Sequence, residues 1–327
     1  MFVNGRYAKA LSDEDAASVI RSEPVSDLGA EAVDDPMLVL AAALSPSEEQ
    51  LTLNHQALPI ELLFVTVPGA AAQMSHVRQA VTVEAGASAT IAERHVTIGG
   101  GGTTLANGST RIELGEGATL DHVKLQAEAA NANHVWHHIA RIASAATYNS
   151  HVVTVGGTLA RNRITAHLLG EGAHCTLDGA YAGRDRQHLD HTSKIVHAVA
   201  DTTSRQVYKG VLDDNSRGVF QGHIVVAEDA QRTDGHQLNR ALMLSDHAEI
   251  DSKPMLEIYA DDVKCSHGAT AGDLDDTQLF YLQSRGIPRD EARRLLVEAF
   301  LAETIDGIPF EPAREAALTL VQEHLAR

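Results

Sequence analysis

Residues 259–270, YADDVKCSHGAT, contain two side chains that bind metal ions, the thiol of Cys265 and the imidazole of His267. On a β-strand, positions i and i+2 point to the same face. Both groups can therefore reach one ion such as Fe(II) or Zn(II), or the edge of an iron–sulfur cluster. Two ligands leave a four-coordinate site incomplete. Others would come from elsewhere in the chain or from a second subunit, which suits a cargo that must be released.

A purely structural role is the alternative for the same two residues. Unbroken alternation from Leu256 would bury Lys264, which costs free energy, so we expect a bend near residues 260–262. After such a bend, Cys265 and His267 could face inward as a core thiol and a hydrogen-bonded imidazole. The spacing alone leaves both interpretations open.

The chain has 18 histidines, and several are clustered. VWHHIAR contains His137 and His138, and RQHLDHTSKIVH contains His188, His191 and His197. Neither the HExxH spacing of zincins nor the HxE with CxxC pattern of deaminases is present, so we expect solvated or hydrogen-bonded imidazoles. The alternative function is a stand-alone β-helix hydrolase that binds zinc through His188, His191 and His267.

Two other sequence motifs that could indicate an enzyme are incomplete or missing. The run GGGG at 99–102 has no following Lys-Ser/Thr and no strand–helix context, so it predicts a loop and not a nucleotide site. GxSxG is missing from the sequence, so a nucleophile-elbow hydrolase is unsupported. We therefore expect a non-catalytic protein.

Composition restricts the partners. The 26 basic and 44 acidic residues give a net charge of −18, which repels nucleic acid. Two cysteines are too few for a disulfide framework and indicate a reducing compartment. With no signal peptide and no apolar run long enough to span a bilayer, we expect a cytoplasmic protein that does not bind membranes.

The sequence pattern changes twice along the chain. Residues 1–60 are mixed, with short helices predicted over 11–20 and 35–44. Residues 61–272 show short alternating runs that end at Gly, Asp or Asn, which indicates strands. After Gly272, residues 273–327 predict three amphipathic helices, with Asp275 as a cap and Gly286 as a left-handed C-terminal residue. Pro288 is expected at the first position of the second helix.

A degenerate repeat runs through the strand region. It places a small residue after a tight corner, at Ala87, Ala118, Ala173, Ala230 and Ala248. Short strands with small corner residues can coil into a parallel β-helix whose inward apolar residues stack in ladders. The low aromatic content of 4% fits such a narrow core. An antiparallel sandwich of similar strands is the competing interpretation.

Three long segments resemble the SufB/SufD family of iron–sulfur cluster assembly scaffolds: SRQVYKGVLDDNSRGVFQGHIVV (204–226), AQRTDGHQLNRALMLSDHAEIDSKPMLEIYADDVKCSHGATAGDLDD (230–276) and LFYLQSRGI (279–287). Weaker similarity extends back to about residue 60. The form KPMLEIYADDVKCSHGAT is similar to the SufD branch. This resemblance implies a right-handed parallel β-helix with a C-terminal helical domain.

The resemblance also implies partners. A SufB-like subunit would share a transient iron or iron–sulfur cluster with this chain at an interface that includes His267 and Cys265, and an isolated chain could pair with itself. The implied interface residues are Met243, Leu244, Ser245, Asp251, Lys253, Pro254 and Glu257. A SufC-like ABC ATPase would dock on Leu279, Phe280, Tyr281, Arg285, Gly286 and Ile287.

Overall fold

Two long parallel sheets face each other along the chain. The computed structural model describes residues 1–14, 19–25 and 35–326. Successive strands alternate between the sheets, so the chain crosses from one sheet to the other after each strand. This arrangement is a parallel β-solenoid. The predicted parallel β-helix is confirmed, and the antiparallel sandwich is wrong.

One sheet, which we call the odd sheet, contains the odd-numbered strands from β5 onward. In chain order they are β5 (Ile60–Thr66), β7 (Ser88–Thr97), β9 (Thr119–Ala127), β11 (Thr147–Thr154), β13 (His174–Gly183), β15 (Thr203–Leu212), β17 (Asp234–Met243) and β19 (Lys264–Gly272). Each pairs in parallel with the next strand of this set.

The facing sheet, the even sheet, is built in the same way. Its parallel strands are β4 (Glu48–Leu53), β6 (Gln73–Val83), β8 (Thr104–Leu114), β10 (Ala132–Ile142), β12 (Leu159–Leu168), β14 (His188–His197), β16 (Arg217–Val226) and β18 (Glu249–Ile258). The inward side chains of both sheets form the interior of the solenoid, and alternation assigns every second residue to it.

The first coil is closed by short antiparallel pairs. β1 (Phe2–Val3) pairs in parallel with β5 and antiparallel with β2 (Arg6–Tyr7), and β3 (Ile20–Glu23) pairs antiparallel with β4. Of the helix predicted over 11–20, residues 15–18 lie outside the described residues, and Ile20 is in β3. A short 3₁₀ helix occupies Lys9–Leu11.

The helix predicted over 35–44 is confirmed as α1 (Pro36–Leu44). The carboxylate of Asp35 caps it by accepting a hydrogen bond from the backbone N–H of Met37 at 2.9 Å. Asn107 Nδ2 in β8 donates to Met37 O at 2.9 Å, so α1 lies on the outer face of the even sheet.

A column of tight corners precedes the odd strands. Each corner has one residue with positive φ, followed by a buried small residue. The left-handed residues are Gly86, Gly117, Ala145, Gly172, Asp201 and Arg232, and the small residues are Ala87, Ala118, Ala146, Ala173, Thr202 and Thr233. The repeat predicted at 87, 118 and 173 belongs to this column. Ala230 and Ala248 are also buried, but Ala230 lies two residues before the left-handed Arg232, and Ala248 lies in the connection from β17 to β18.

Replacing Ala145 with glycine is expected to stabilise the protein by about 1 kcal/mol, because alanine is strained at a φ of 54° and glycine is not. The neighbouring Ala146→Gly is the matched control, since Ala146 is fully buried and should lose stability by about 1 kcal/mol. Urea unfolding midpoints measure both. Equal destabilisation by the two variants would contradict strain at residue 145.

Three helices follow the solenoid: α2 (Asp276–Ser284), α3 (Arg289–Ile305) and α4 (Glu311–Leu325). Asp275 caps α2 by accepting from Thr277 N at 2.8 Å, and Gly286 has a φ of 86°, as predicted. Pro288 is the N-cap of α3 and not its first helical residue. Across the described residues, no helix combines the length and apolar composition that crossing a bilayer requires.

The helical region packs on the outer face of the odd sheet. The buried face of α3 and outward residues of β11, β13 and β15 form one apolar cluster: Val153, Ala180, Val211, Val297, Leu301 and Ile305. The buried residues of α4, which include Ala317 and Val321, belong to the same cluster. The helices are therefore docked on the sheet by apolar burial, while α2 contacts α3 and contains no buried residue.

Candidate functional site

The terminal coil of the solenoid, formed by β18 and β19, is open. In the described residues β18 pairs in parallel only with β16, and β19 only with β17. The inward positions of β16 and β17 are largely buried, whereas no residue of β18 or β19 is. Ile258 is 40% exposed although it continues an inward ladder, and Tyr259 is 64% exposed. At this end of the solenoid, the inward side chains of the last coil and the unpaired edges of β18 and β19 are therefore exposed together.

Cys265 lies on the inward face of this terminal coil. It pairs with Gly235 of β17, and a Cβ built on Gly235 would lie 3.6 Å from the Cys265 sulfur. The thiol is half-buried against the cluster that contains Ile224 and Val226. Burial raises the pKa of the Cys265 thiol, the backbone hydrogen bond from Gly235 opposes this, and Asp234 adds to the increase. The thiol therefore packs against the preceding coil on one side, and its other side is accessible to solvent at the open end of the solenoid.

His267 is exposed two residues further along β19, on the same face as Cys265. It lies beside Gln237 of β17, a buried residue. The outward neighbour Ser266 instead hydrogen-bonds His236 Nδ1 at 2.6 Å. The thiol and the imidazole therefore lie on the same face of β19, as their spacing predicts, and whether they bind one metal ion stays a prediction.

Four residues predicted for the partner interface lie on β18: Asp251, Lys253, Pro254 and Glu257. Arg217 Nε donates to the Asp251 carboxylate at 2.8 Å, and His223 Nε2 lies 3.1 Å from Glu257. Lys253 is exposed. These side chains belong to the free edge of the even sheet, where a partner strand could pair.

The other three predicted interface residues lie at the end of β17. Met243 is its last residue, and Leu244 and Ser245 follow. Arg293 of α3 donates to Leu244 O, and Ser245 Oγ donates to Asp214 O. This segment therefore connects the terminal coils to the helical region and is not part of the free strand edge. Its contact with a partner remains a prediction.

Three of the predicted ATPase-docking residues lie in the exposed helix α2, and the other three follow its end. Leu279 and Ile287 are half-buried, whereas the others are exposed: Phe280, Tyr281, Arg285 and Gly286. Phe280 is 71% exposed and Tyr281 is 56% exposed, and the guanidinium of Arg285 lies 5.1 Å from the centre of the Tyr281 ring. An adjacent pair of exposed aromatic rings on a helix without buried residues is typical of a protein-binding surface.

The alternative zinc site of His188, His191 and His267 does not form. His188 faces outward and His191 faces inward, because they are three residues apart on β14, and His267 lies on the other sheet. Within the described ranges, the one group of three potential ligands that the fold brings together is Glu93, His122 and His138. The hydrolase interpretation based on those three histidines is therefore wrong.

His191 is instead a core residue. Its ring stacks on Tyr181 with centroids 4.9 Å apart and lies 5.4 Å from the Tyr208 ring. Burial lowers the pKa of His191 from 6.5 to about 4, although Asp190 acts in the opposite direction. Below pH 6.5 the unfolded chain therefore binds a proton that the folded chain does not, and stability falls as the pH falls from 6.5 through about 4.

His191→Gln is expected to weaken the pH dependence of the free energy of unfolding, because unfolding then takes up one proton fewer. The slope should fall by about 1.4 kcal/mol per pH unit at most. Urea unfolding between about pH 7 and pH 4 measures the slope. The matched control is His188→Gln, on the outer face of the same strand. Identical slopes for the wild type and His191→Gln would contradict a buried neutral imidazole.

The fold and the site together define a class of protein: a parallel β-solenoid with an open terminal coil and a helical region docked on one sheet. The chain belongs to the SufBD core domain family of the SUF system for FeS cluster assembly, whose model matches residues 65–300. The resemblance inferred from the sequence is thereby confirmed.

Named relatives agree with this family. The iron-sulfur cluster assembly protein SufD of Escherichia coli strain K12 is 33% identical over 333 residues, which cover 99% of this chain and 78% of the relative. An iron-sulfur cluster assembly SufBD family protein of Synechocystis is 31% identical, covering 94% of this chain and 74% of its own length. A SufBD family protein of Mycobacterium tuberculosis is 36% identical over 233 residues, 69% of this chain and 58% of the relative.

Proposed function

We propose that this protein is a SufD-like scaffold subunit that assists iron–sulfur cluster assembly and iron acquisition without catalysing a reaction itself. A SufB-like subunit would pair with it, and a SufC-like ABC ATPase would supply the energy. The family and the SufD relative support this role. The two cysteines are unpaired, which fits a location in the cytoplasm.

The observation that carries the proposal is the open terminal coil. It presents Cys265 and His267 on one face, beside two free strand edges. A second solenoid that pairs with these edges would cover the exposed ladder and add ligands to the incomplete site. The cargo, iron or an iron–sulfur cluster, would then be shared and released when the two chains separate.

The same end could also pair two copies of this chain. The exposed residues Ile258 and Tyr259 would be covered in either pairing, since neither depends on which solenoid approaches. We propose that such a homodimer forms only when the SufB-like subunit is absent. The net charge of −18 favours protein or metal partners over nucleic acid.

A short covalent connection links the proposed ATPase surface to the site. β19 ends at Gly272 and α2 begins at Asp276, so only residues 273–275 separate them. Movement of α2 by a bound ATPase would therefore act directly on the strand that bears Cys265 and His267. This proximity supports a mechanism in which ATP-driven movement of the helical region opens the paired terminal coils.

Phe280→Asp is expected to weaken binding of the SufC-like ATPase at least about tenfold, because it places a charge in the centre of an apolar contact. Leu58→Asp is the matched control, since Leu58 is 74% exposed but lies near the first coil. Calorimetric titration measures both affinities. An unchanged affinity for Phe280→Asp would remove α2 from the docking surface.

Reconstitution with the two partners tests the whole proposal. The SufB-like subunit and the ATPase are mixed with or without this chain, and iron and acid-labile sulfide are measured per complex. We expect clusters to form at least about tenfold more completely when the chain is present, because the site requires ligands from both solenoids. Equal cluster yields with and without the chain would reject the scaffold role.

A further inference from the structure

A carboxylate is buried inside the solenoid, far from the terminal coil. Glu93 of β7 is 1% exposed and faces inward. Three imidazoles surround it: His122 Nε2 is 3.1 Å from Oε1, and His138 Nε2 and His95 Nε2 are 3.3 and 3.4 Å from Oε2. A buried carboxylate needs a compensating charge, which neutral imidazoles do not supply.

The residues come together from three strands. His122 lies on β9, beside Ile91 of β7, so it is one strand away and diagonal to Glu93. His138 lies on β10 in the even sheet and reaches across the interior. The ligand atoms of Glu93, His122 and His138 all lie within 4.8 Å of one another. The group therefore joins the two facing sheets.

The spacing suits a shared metal ion. Neutral N–H···O hydrogen bonds are usually about 2.7–3.2 Å long. The His122 separation of 3.1 Å lies at the long end of that range, and His138, which hydrogen-bonds the Glu93 carboxylate, lies beyond it at 3.3 Å. Donor atoms that share a tetrahedral ion at about 2.0–2.1 Å lie about 3.3 Å apart, which is close to the observed spacing.

The surroundings hold His122 in the orientation of a ligand. Its Nδ1 hydrogen-bonds the hydroxyl of Tyr148 at 3.0 Å, so Nε2 points at Glu93. That Nε2 is buried and has no hydrogen bond of acceptable geometry. Metal-binding histidines typically have such a partner on the second ring nitrogen, which fixes the ring and its tautomer.

Lys124 is the competing source of positive charge. It pairs with Glu93 in the register of β7 and β9 and is 1% exposed. Its ammonium group nevertheless makes no hydrogen bond to a described residue and lies 5.0 Å from the centre of the Trp136 ring. The charge of the lysine acts on both Glu93 and Glu128, but its ammonium hydrogen-bonds neither carboxylate and packs against the aromatic ring instead.

We propose that Glu93, His122 and His138 bind one divalent transition-metal ion inside the solenoid. Two imidazoles and one carboxylate suit a borderline ion such as Zn(II) or Fe(II), with a fourth position for water. Because all three residues are buried, the ion enters as the coils fold and holds the odd and even sheets together. This role goes beyond the proposed scaffold function and involves none of its interface residues.

Metal retention by the isolated full-length chain tests the proposal. The background carries Cys265→Ser and His267→Ala, so that the terminal coil contributes no ligand. The chain is unfolded, refolded with Zn(II) or Co(II), treated with a chelator and desalted. We expect about one retained equivalent by mass spectrometry of the metal, and a Co(II) absorption spectrum typical of tetrahedral coordination.

Glu93→Gln and His138→Gln in that background are expected to retain less than about a tenth of an equivalent, because each removes one of three protein ligands. His191→Gln, another buried histidine of the interior, should retain the full equivalent. Circular dichroism confirms that each variant is folded, and the chelator series is repeated on any variant with a lower melting temperature.

Retention by the parent chain that does not exceed retention by Glu93→Gln would overturn the proposal and leave a hydrogen-bonded cluster only. That result would not affect the scaffold function, which is measured as cluster yield in the three-protein complex. Conversely, metal retention by the parent chain together with equal cluster yields with and without the chain in the complex would support this inference while the scaffold proposal failed.

Discussion

A complex that contains His267→Ala is expected to assemble less than about a tenth of the wild-type amount of iron–sulfur cluster. His267 is the exposed imidazole of the open terminal coil, and its removal takes away one of the two ligands proposed above for the face that a partner would cover. Losing one protein ligand from an incomplete site weakens binding of the cargo more than losing one from a closed, four-ligand site. Iron and acid-labile sulfide per reconstituted complex measure the effect.

His236→Ala provides the matched control for this experiment. His236 is an exposed histidine on the adjacent strand β17, but it faces outward and hydrogen-bonds Ser266. Cluster yield with this variant should stay within about twofold of the wild type, since no ligand is lost. Subunit pairing is checked by gel filtration. Wild-type yield from His267→Ala in an intact complex would refute a ligand role for this imidazole.

Gly210→Ala is expected to destabilise the solenoid by about 3 kcal/mol. Gly210 of β15 lies beside Tyr181 of β13, and an added Cβ would be 2.1 Å from the Tyr181 ring. That ring cannot move away easily, because it is 1% exposed and stacks on His191. Overlap of this size forces the ring or the strand to shift in a densely packed interior. Urea unfolding measures the loss.

Gly272→Ala is the corresponding control, because no atom lies within 4 Å of the added Cβ and stability should change by less than about 0.5 kcal/mol. Combining Gly210→Ala with Tyr181→Ala should cost less than the sum of the two single changes by more than about 1 kcal/mol. Additive effects would show that the glycine and the ring are not coupled.

The same arrangement recurs along the solenoid and could not be predicted from the sequence. Gly108 lies beside Trp136, and Gly179 beside Tyr208, each with a built Cβ 2.4 Å from the ring. Alternation in the sequence identified the strands, and the corner repeat together with the family resemblance indicated their parallel coiling. It did not identify which residue of one strand lies beside which residue of the next, and these pairs depend on that register.

The corner repeat was predictable only in part, for a related reason. Gly86, Gly117 and Gly172 mark the left-handed corners at Ala87, Ala118 and Ala173, so those copies stand out. The corner at Ala145 and Ala146 has the same backbone without a glycine. A pattern search that relies on glycine therefore misses a coil whose geometry is unchanged.

The site was predictable to the extent that it depends on one strand. Cys265 and His267 share a face because they are two residues apart, which holds in any strand. The histidines of β10 were predicted to be solvated or hydrogen-bonded, and His137 and His138 do contact Thr165 and Glu93 at 2.9 and 3.3 Å. The sequence did not show that His138 is only 1% exposed. Both faces of β10 are covered there, since His137 is also only 7% exposed, and alternation cannot tell two covered faces apart. Polar residues in phase with inward apolar ones, such as Glu93 after Ile91, are the signal that indicates a polar interior.

The two ends of the solenoid differ in a way that limits its growth. A fibre of stacked coils forms only if both ends of every molecule can bind another molecule. Here the described first coil is bordered by the short antiparallel strands β2 and β3, which leave little free edge for a further parallel strand to pair with. Among the described coils, the last one has the long free strand edges. Head-to-head pairing of two such molecules, as proposed above, would occupy both of these ends, so we expect assembly to stop at two solenoids at any protein concentration.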